Sequence, residues 1–187
     1  MNIPLILTYL RIILIPAIVI VFYLPVGFAH LAAAIIFILA AITDWLDGYL
    51  ARSLNQTTKL GAFLDPVADK LVIATALVII VSEFHAAYLV IPAAIIIGRE
   101  IIVSALREWM AEIGKRTSVA VSRIGKIKTV LQMLSIVLLL LYQPHHIILI
   151  KISGIILLYI AAILTLWSMI MYLKAAWPDL TSSLKRQ

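Results

Sequence analysis

Four aspartates, Asp44, Asp47, Asp65 and Asp69, lie between positions 44 and 69 of a chain that holds only nine acidic residues. Asp44 and Asp47 are three apart, so on a helix they share a face, about 4.5 Å apart along the axis. Asp65 and Asp69 are four apart, with Gly61 four before them, again on one face. A hairpin linked by the stretch from Arg52 to Gly61 would bring both faces to one depth. Converging carboxylates repel strongly where water is scarce. Protonation relieves this, or cations do, and all-oxygen ligands suit hard divalent ions such as Mg²⁺ or Mn²⁺. Two ions about 3.5–4 Å apart could share such a set. Zinc suits the site less, since residues 43 to 70 contain no histidine and the chain no cysteine. The same absence rules out disulfides and thiolate nucleophiles.

The elements that must hold these carboxylates are apolar. The chain has 187 residues, of which 64% are hydrophobic and 13% charged, with mean hydropathy +1.14. A soluble domain carries about 25% charged residues. An all-α, polytopic membrane protein is expected, with apolar segments near 5–24, 29–50, 62–82, 87–107, 129–142 and 147–173. The fifth is short unless it begins near Gly125. Pro16 and Pro92 are tolerable inside such helices. Met1-Asn2-Ile3-Pro4 lacks a basic leader, so the first helix is expected to be retained. Residues 1–187 are expected to form a single membrane domain.

Linker charges give the orientation. Residues 24–30 carry no formal charge, whereas the next linker holds Arg52 and Lys59. Residues 82–85 lack lysine and arginine. The following linker carries Arg107, Lys115, Arg116, Arg123, Lys126 and Lys128; residues 143–146 are neutral; the tail holds Lys174, Lys185 and Arg186. The positive-inside rule therefore predicts six transmembrane helices with both termini cytoplasmic, and all four aspartates at the cytoplasmic rim. The net charge of +6 is explained by this topology, and no nucleic-acid partner is inferred from it.

Gly48, Ala51 and Gly61 leave room for a bulky or phosphorylated group near the backbone, or for close helix contact. Arg52 could pair with an aspartate or hold a phosphate. Taken singly, Asp65-Pro66 has the form of a helix cap with proline at N1. Asp44 or Asp47 alone could pair with Arg52 or Lys59. Two same-face pairs at matched depth are harder to explain in that way.

The run Asp44-x-x-Asp47-Gly48-x-x-Ala51-Arg52, then Gly61-x-x-x-Asp65-x-x-x-Asp69, resembles the signature of the CDP-alcohol phosphotransferase family. The likeness extends over nearly the whole chain in length and helix count. It implies a six-helix membrane enzyme with a dimetal site on the cytosolic side: Asp44, Asp47, Asp65 and Asp69 as ligands of Mg²⁺ or Mn²⁺, and Asp69 also as general base. Gly48, Ala51 and Arg52 fall on positions associated with the CDP group, and Gly61 would allow close approach of the nucleotide. Asn2-Ile3-Pro4, Leu7-Thr8-Tyr9-Leu10-Arg11, Gly98-Arg99-Glu100-Ile101, Leu106-Arg107-Glu108-Trp109 and Gly125-Lys126-Ile127-Lys128-Thr129 resemble the branch that joins CDP-diacylglycerol to glycerol 3-phosphate. The resemblance also implies a homodimer in the bacterial cytoplasmic membrane.

Such an acceptor needs a second anion site. Arg107 and Lys126 are the candidates, with Arg99 two turns deeper along the face of Arg107. The alternative is ion pairing with Glu100, Glu108 or Glu112, or the positive-inside bias alone. Lys115, Arg116 and Arg123 are expected to meet anionic headgroups. Asn2, Thr8 and Arg11 are read either as further site contacts or as a polar anchor for the first helix. His30, His85, His145 and His146 fall on the expected outer side, away from the aspartates. Trp109, Trp167 and Trp177 resemble interface anchors, and Trp45 could pack beside the donor. Two other readings stand beside this one. The first is a sibling enzyme that takes inositol phosphate or serine as acceptor. The second is a cation transporter, which would place acidic groups near the membrane midplane.

Overall fold

The computed structural model describes residues 3–53, 58–112, 123–144 and 147–184; at several helix ends it describes the backbone alone. These residues form six α-helices and, among the described residues, no strand. The helices are α1 (Ile3–Phe22), α2 (Ala29–Ser53), α3 (Lys59–Phe84), α4 (Ala87–Glu112), α5 (Arg123–Leu141) and α6 (Ile148–Leu184). Each grows from one of the six apolar segments, and the differences lie at the ends. α5 starts at Arg123, which gives the short fifth segment its extra turns, and α6 runs on beyond residue 173.

The start of α3 differs from the cap suggested by Asp65-Pro66. Thr58 is the N-cap, in extended backbone, and its Oγ1 accepts from the Gly61 amide at 3.0 Å. Asp65 and Pro66 therefore sit inside α3, where the ring forfeits one backbone bond. A Cβ at Gly61 would lie 2.9 Å from Thr58 Oγ1, so the missing side chain is what lets this cap close. The far end of α3 stops at His85, in the left-handed conformation at φ 47°.

α1 lies between α2 and α3 and touches both more extensively than they touch each other. α5 packs on α2, α3 and α6, and α4 packs on α3 and α6. One buried cluster draws on all six helices through Ile18, Phe37, Leu77, Ile96, Leu140 and Leu158. At the α5–α6 contact Ser135 Oγ donates to the Gly154 carbonyl at 2.7 Å. A Cβ at Gly154 would come within 2.8 Å of Leu139 Cγ, and Leu139 is itself buried. Gly154→Val is therefore expected to cost about 1–3 kcal/mol by overpacking, read as a lower midpoint of thermal unfolding in detergent.

The outer surface is apolar. Ile13, Phe63, Val78, Ile101, Val130 and Ile163 are each more than half exposed. Apolar surface spread over every helix is foreign to a monomer in water and suits lipid. By length and composition, α1, α4 and α6 can cross a bilayer, through Leu5–Phe22, Ala87–Glu112 and Ile148–Lys174. α2 and α5 carry shorter apolar stretches, Ala29–Asp44 and Ile127–Leu141. In α2 the stretch ends where the aspartates begin. This is the build of a membrane protein.

Candidate active site

A buried arginine from α1 stands among the two aspartate faces, and Asp44 and Asp69 come within hydrogen-bonding reach of each other beside it. Arg11 has a side chain only 1% exposed, and its Nη1 lies 3.1 Å from Asp44 Oδ1. The same Nη1 donates to Asp69 Oδ1, and Nη2 donates to Asp47 Oδ2. Thr8, three residues earlier on α1, donates from Oγ1 to Asp65 Oδ1 at 2.5 Å. Four carboxylates from α2 and α3 are thus gathered by one turn of α1. Asp47 is buried, while Asp44 and Asp69 are partly open. The cluster therefore has a dry floor and a wet rim.

Helix periodicity explains the convergence. Asp44 and Asp47 face α1 because the opposite side of α2 carries exposed apolar residues such as Leu39 and Ile42. Asp65 and Asp69 occupy one stripe of α3, one turn apart. Beside Arg11 a cavity of about 20 Å³ is lined by Ala40, Ala41, Asp44, Asp69, Val72 and Met133 among others. That is room for about one water molecule.

With these side-chain positions no group of three or more Asp, Glu or His residues among the described residues is set to hold a metal ion, because the guanidinium takes the central place. The donor set still fits a hard divalent cation. Three carboxylates point at one shared cationic centre, a fourth lies one turn away, and every ligand atom is oxygen.

Of the other residues singled out from the sequence, Gly61 is buried against Thr58 and Leu5. Its openness serves the start of α3, a reason independent of any nucleotide. Gly48, Ala51 and Arg52 fall on the last turns of α2 and Lys126 on the first turn of α5. Beyond that helical backbone they lie outside the described residues, as do the side chains of Trp45 and Arg123 and the whole of Asn2, Lys115, Arg116, His145 and His146. Arg107 donates from Nη2 to the Tyr172 hydroxyl at 2.9 Å, its guanidinium 5.3 Å from that ring's centre. His30 Nδ1 lies 3.2 Å from the Leu140 carbonyl, remote from the aspartates.

A second polar cluster joins α4, α5 and α6. Arg99 Nη1 donates to Glu100 Oε1 at 2.7 Å, and Nη2 donates to Ser168 Oγ at 3.1 Å. Lys128 Nζ reaches the same Glu100 oxygen at 3.1 Å. Arg99 and Lys128 are nearly fully buried, so two desolvated cations share one carboxylate. Among the described residues, Arg99 Nε, Gln132 Oε1 and Thr165 Oγ1 are buried without a hydrogen-bond partner. α5 contributes to both clusters, through Lys128 here and Met133 at the acidic cavity.

The sequence by itself leaves Arg11 and Thr8 open between site contact and helix anchor, and does not join Lys128 to Glu100. A signal for Arg11 existed: it is the one charged residue in the apolar helix α1, where an unpaired charge is costly. No local pattern could pair Lys128 with Glu100, because they stand 28 positions apart.

Comparison with known proteins shows the family. The model of the CDP-alcohol phosphatidyltransferase family matches residues 1–167. A protein of Yersinia pestis (strain Pestoides F), named CDP-diacylglycerol–glycerol-3-phosphate 3-phosphatidyltransferase, is 57% identical over 180 residues, covering 96% of this chain and 97% of its own. Proteins with the same name from Yersinia enterocolitica and Escherichia coli (strain K12) are 58% and 57% identical, each over 96% of this chain and 97% of their own. With a family model that spans most of its length and relatives that match it nearly end to end, the chain belongs to the CDP-alcohol phosphatidyltransferase family.

Proposed function

We propose that the chain transfers the phosphatidyl group of CDP-diacylglycerol to glycerol 3-phosphate, giving phosphatidylglycerophosphate and CMP. The observation that carries this reading is the identity of more than half its residues, along almost the entire chain, to proteins named for that reaction. Two features support it: the carboxylates gathered at the ends of α2 and α3, and the excess of buried positive charge between α4, α5 and α6.

In this reading all six helices span the bacterial cytoplasmic membrane, both termini face the cytoplasm, and the protein acts as a homodimer in contact with anionic lipids. Residues 1–187 act as a single unit. Asp44, Asp47, Asp65 and Asp69 hold Mg²⁺ or Mn²⁺, two ions per site. When bound, these ions polarise the phosphoryl oxygens and offset charge on the departing CMP. Gly48, Ala51, Arg52 and Gly61 border the CDP group. The donor's tails find an apolar groove of about 440 Å³ between α2 and α5, lined in part by Phe37, Ile38, Ile42, Val130 and Leu134. It shares Ala41 and Met133 with the acidic cavity, so tail and diphosphate can be held at once.

The acceptor's primary hydroxyl attacks the phosphorus that carries diacylglycerol. The new oxygen–phosphorus bond forms as the bond to CMP breaks, and Asp69 takes the hydroxyl proton. A carboxylate is a weak base toward an alcohol, so the proton moves late. Arg107 and Lys126, together with the buried Arg99 and Lys128, hold the acceptor's phosphate and keep its hydroxyl in line.

The test is CMP release by purified protein from CDP-diacylglycerol, with and without glycerol 3-phosphate and divalent ion. Release is expected only with both, and chelation should abolish it. Preference for inositol phosphate or serine would overturn the acceptor. Metal-dependent ion flux into liposomes without nucleotide turnover would favour a transporter.

A further inference from the structure

The arginine among the aspartates is odd as a permanent structural group. Arg11 is almost wholly buried, and its fork is spread over three carboxylates on two helices. Its Nε, also buried, has no hydrogen-bond partner among the described residues. A guanidinium installed only for stability would have its full set of donors matched, since an unmatched buried donor is costly. Arg11 also lines the small cavity that Asp44 and Asp69 border. It occupies the centre of the carboxylates that a divalent ion would share.

We propose that Arg11 is an internal counter-cation that holds the acidic cluster closed and must surrender its carboxylates when a divalent ion binds. This rests on the metal reading of the site given above. A guanidinium and a divalent ion gathered on the same three carboxylates repel each other at close range in a poorly hydrated place, so each weakens the other's hold even where they take different oxygens. Ion entry therefore costs the ion pairs of Arg11, and affinity for the ion alone is weakened. Displaced from the aspartates, Arg11 remains a buried cation and needs an anion. The diphosphate of the nucleotide donor is the anion that arrives at this cluster. Metal and nucleotide should then bind with positive coupling, which removing Arg11 would diminish. Thr8, bonded to Asp65, is uncharged and imposes no such competition.

The test measures binding of Mn²⁺ alone, by loss of the free-ion paramagnetic resonance signal, to wild-type protein, Arg11→Gln and Arg11→Lys in nanodiscs. The measurement is repeated with CDP-diacylglycerol present. Arg11→Gln is expected to bind Mn²⁺ at least about tenfold tighter than wild type without nucleotide, with a smaller gain when nucleotide is added. Its metal-free unfolding midpoint should fall, and Mn²⁺ should raise that midpoint by more than in wild type. Arg11→Lys, which keeps the charge and loses the fork, should bind between the two. A merely structural Arg11 predicts the reverse, since loosening the cluster weakens the ion. Equal or weaker Mn²⁺ binding in Arg11→Gln overturns the proposal; should that variant fail to fold, equal or weaker binding in Arg11→Lys does so. Wild-type protein that takes up no Mn²⁺ with or without nucleotide overturns the metal reading as well.

Discussion

Asp69→Asn is expected to lower CMP release by about 10²- to 10⁴-fold, the usual contribution of a positioned general base, while binding of CDP-diacylglycerol is retained. The amide keeps the shape of the carboxylate, and its Oδ1 can still accept from Arg11, so the packing of α1 against α3 should survive. What is lost is the negative charge and the lone pair that would accept the acceptor's proton. Asp69 suits this task better than Asp47, because its side chain is 36% exposed whereas that of Asp47 is 4% exposed. It also borders the cavity next to Arg11. The measurement is steady-state CMP release at saturating Mg²⁺, paired with equilibrium binding of the donor. Near-normal turnover in Asp69→Asn would remove the base from this residue. Lost turnover together with lost Mn²⁺ binding would assign Asp69 to the metal alone.

Arg99→Ala should act on the other substrate. It is expected to raise the KM for glycerol 3-phosphate by about 10- to 100-fold, with little change in the KM for CDP-diacylglycerol. That magnitude corresponds to a charge-assisted hydrogen bond of about 1.5–3 kcal/mol. In the intact protein Arg99 and Lys128 share Glu100, leaving one positive charge in excess. Without Arg99 the remaining Lys128 and Glu100 neutralise each other, and the buried attraction for an anion disappears. The variant also loses the bond from Arg99 to Ser168, which ties α4 to α6. Its thermal midpoint should therefore be measured beside the kinetics, so that lost substrate affinity is not confused with lost fold. A rise confined to the KM of CDP-diacylglycerol would move the acceptor's phosphate elsewhere. Arg107→Ala is a milder comparison, since Arg107 is exposed and rests on Tyr172.

Much of the architecture was legible because it depends on local periodicity. A run of apolar residues must be helical in lipid, and each of the six runs became one helix. The three- and four-residue spacing of the aspartates needs only the helical repeat to place each pair on one face. Helix ends were less legible. Asp65-Pro66 offered a sound capping pair, yet Thr58 took the cap because Gly61 has no side chain to obstruct it.

The amino-acid order alone determined that this chain is a helical membrane protein, that four of its nine acidic residues fall in two same-face pairs, and that it carries a family's signature. Only the tertiary structure decided what stands among those acids. The wedging of α1 between α2 and α3 brings Arg11 to Asp44, Asp47 and Asp69, partners 33 to 58 positions away. The same holds for Lys128 and Glu100, whose side chains meet because α4 and α5 both pack on α3 and α6. Spacing along a chain sets the face of a helix; which charge meets that face depends on how the helices turn against one another in packing.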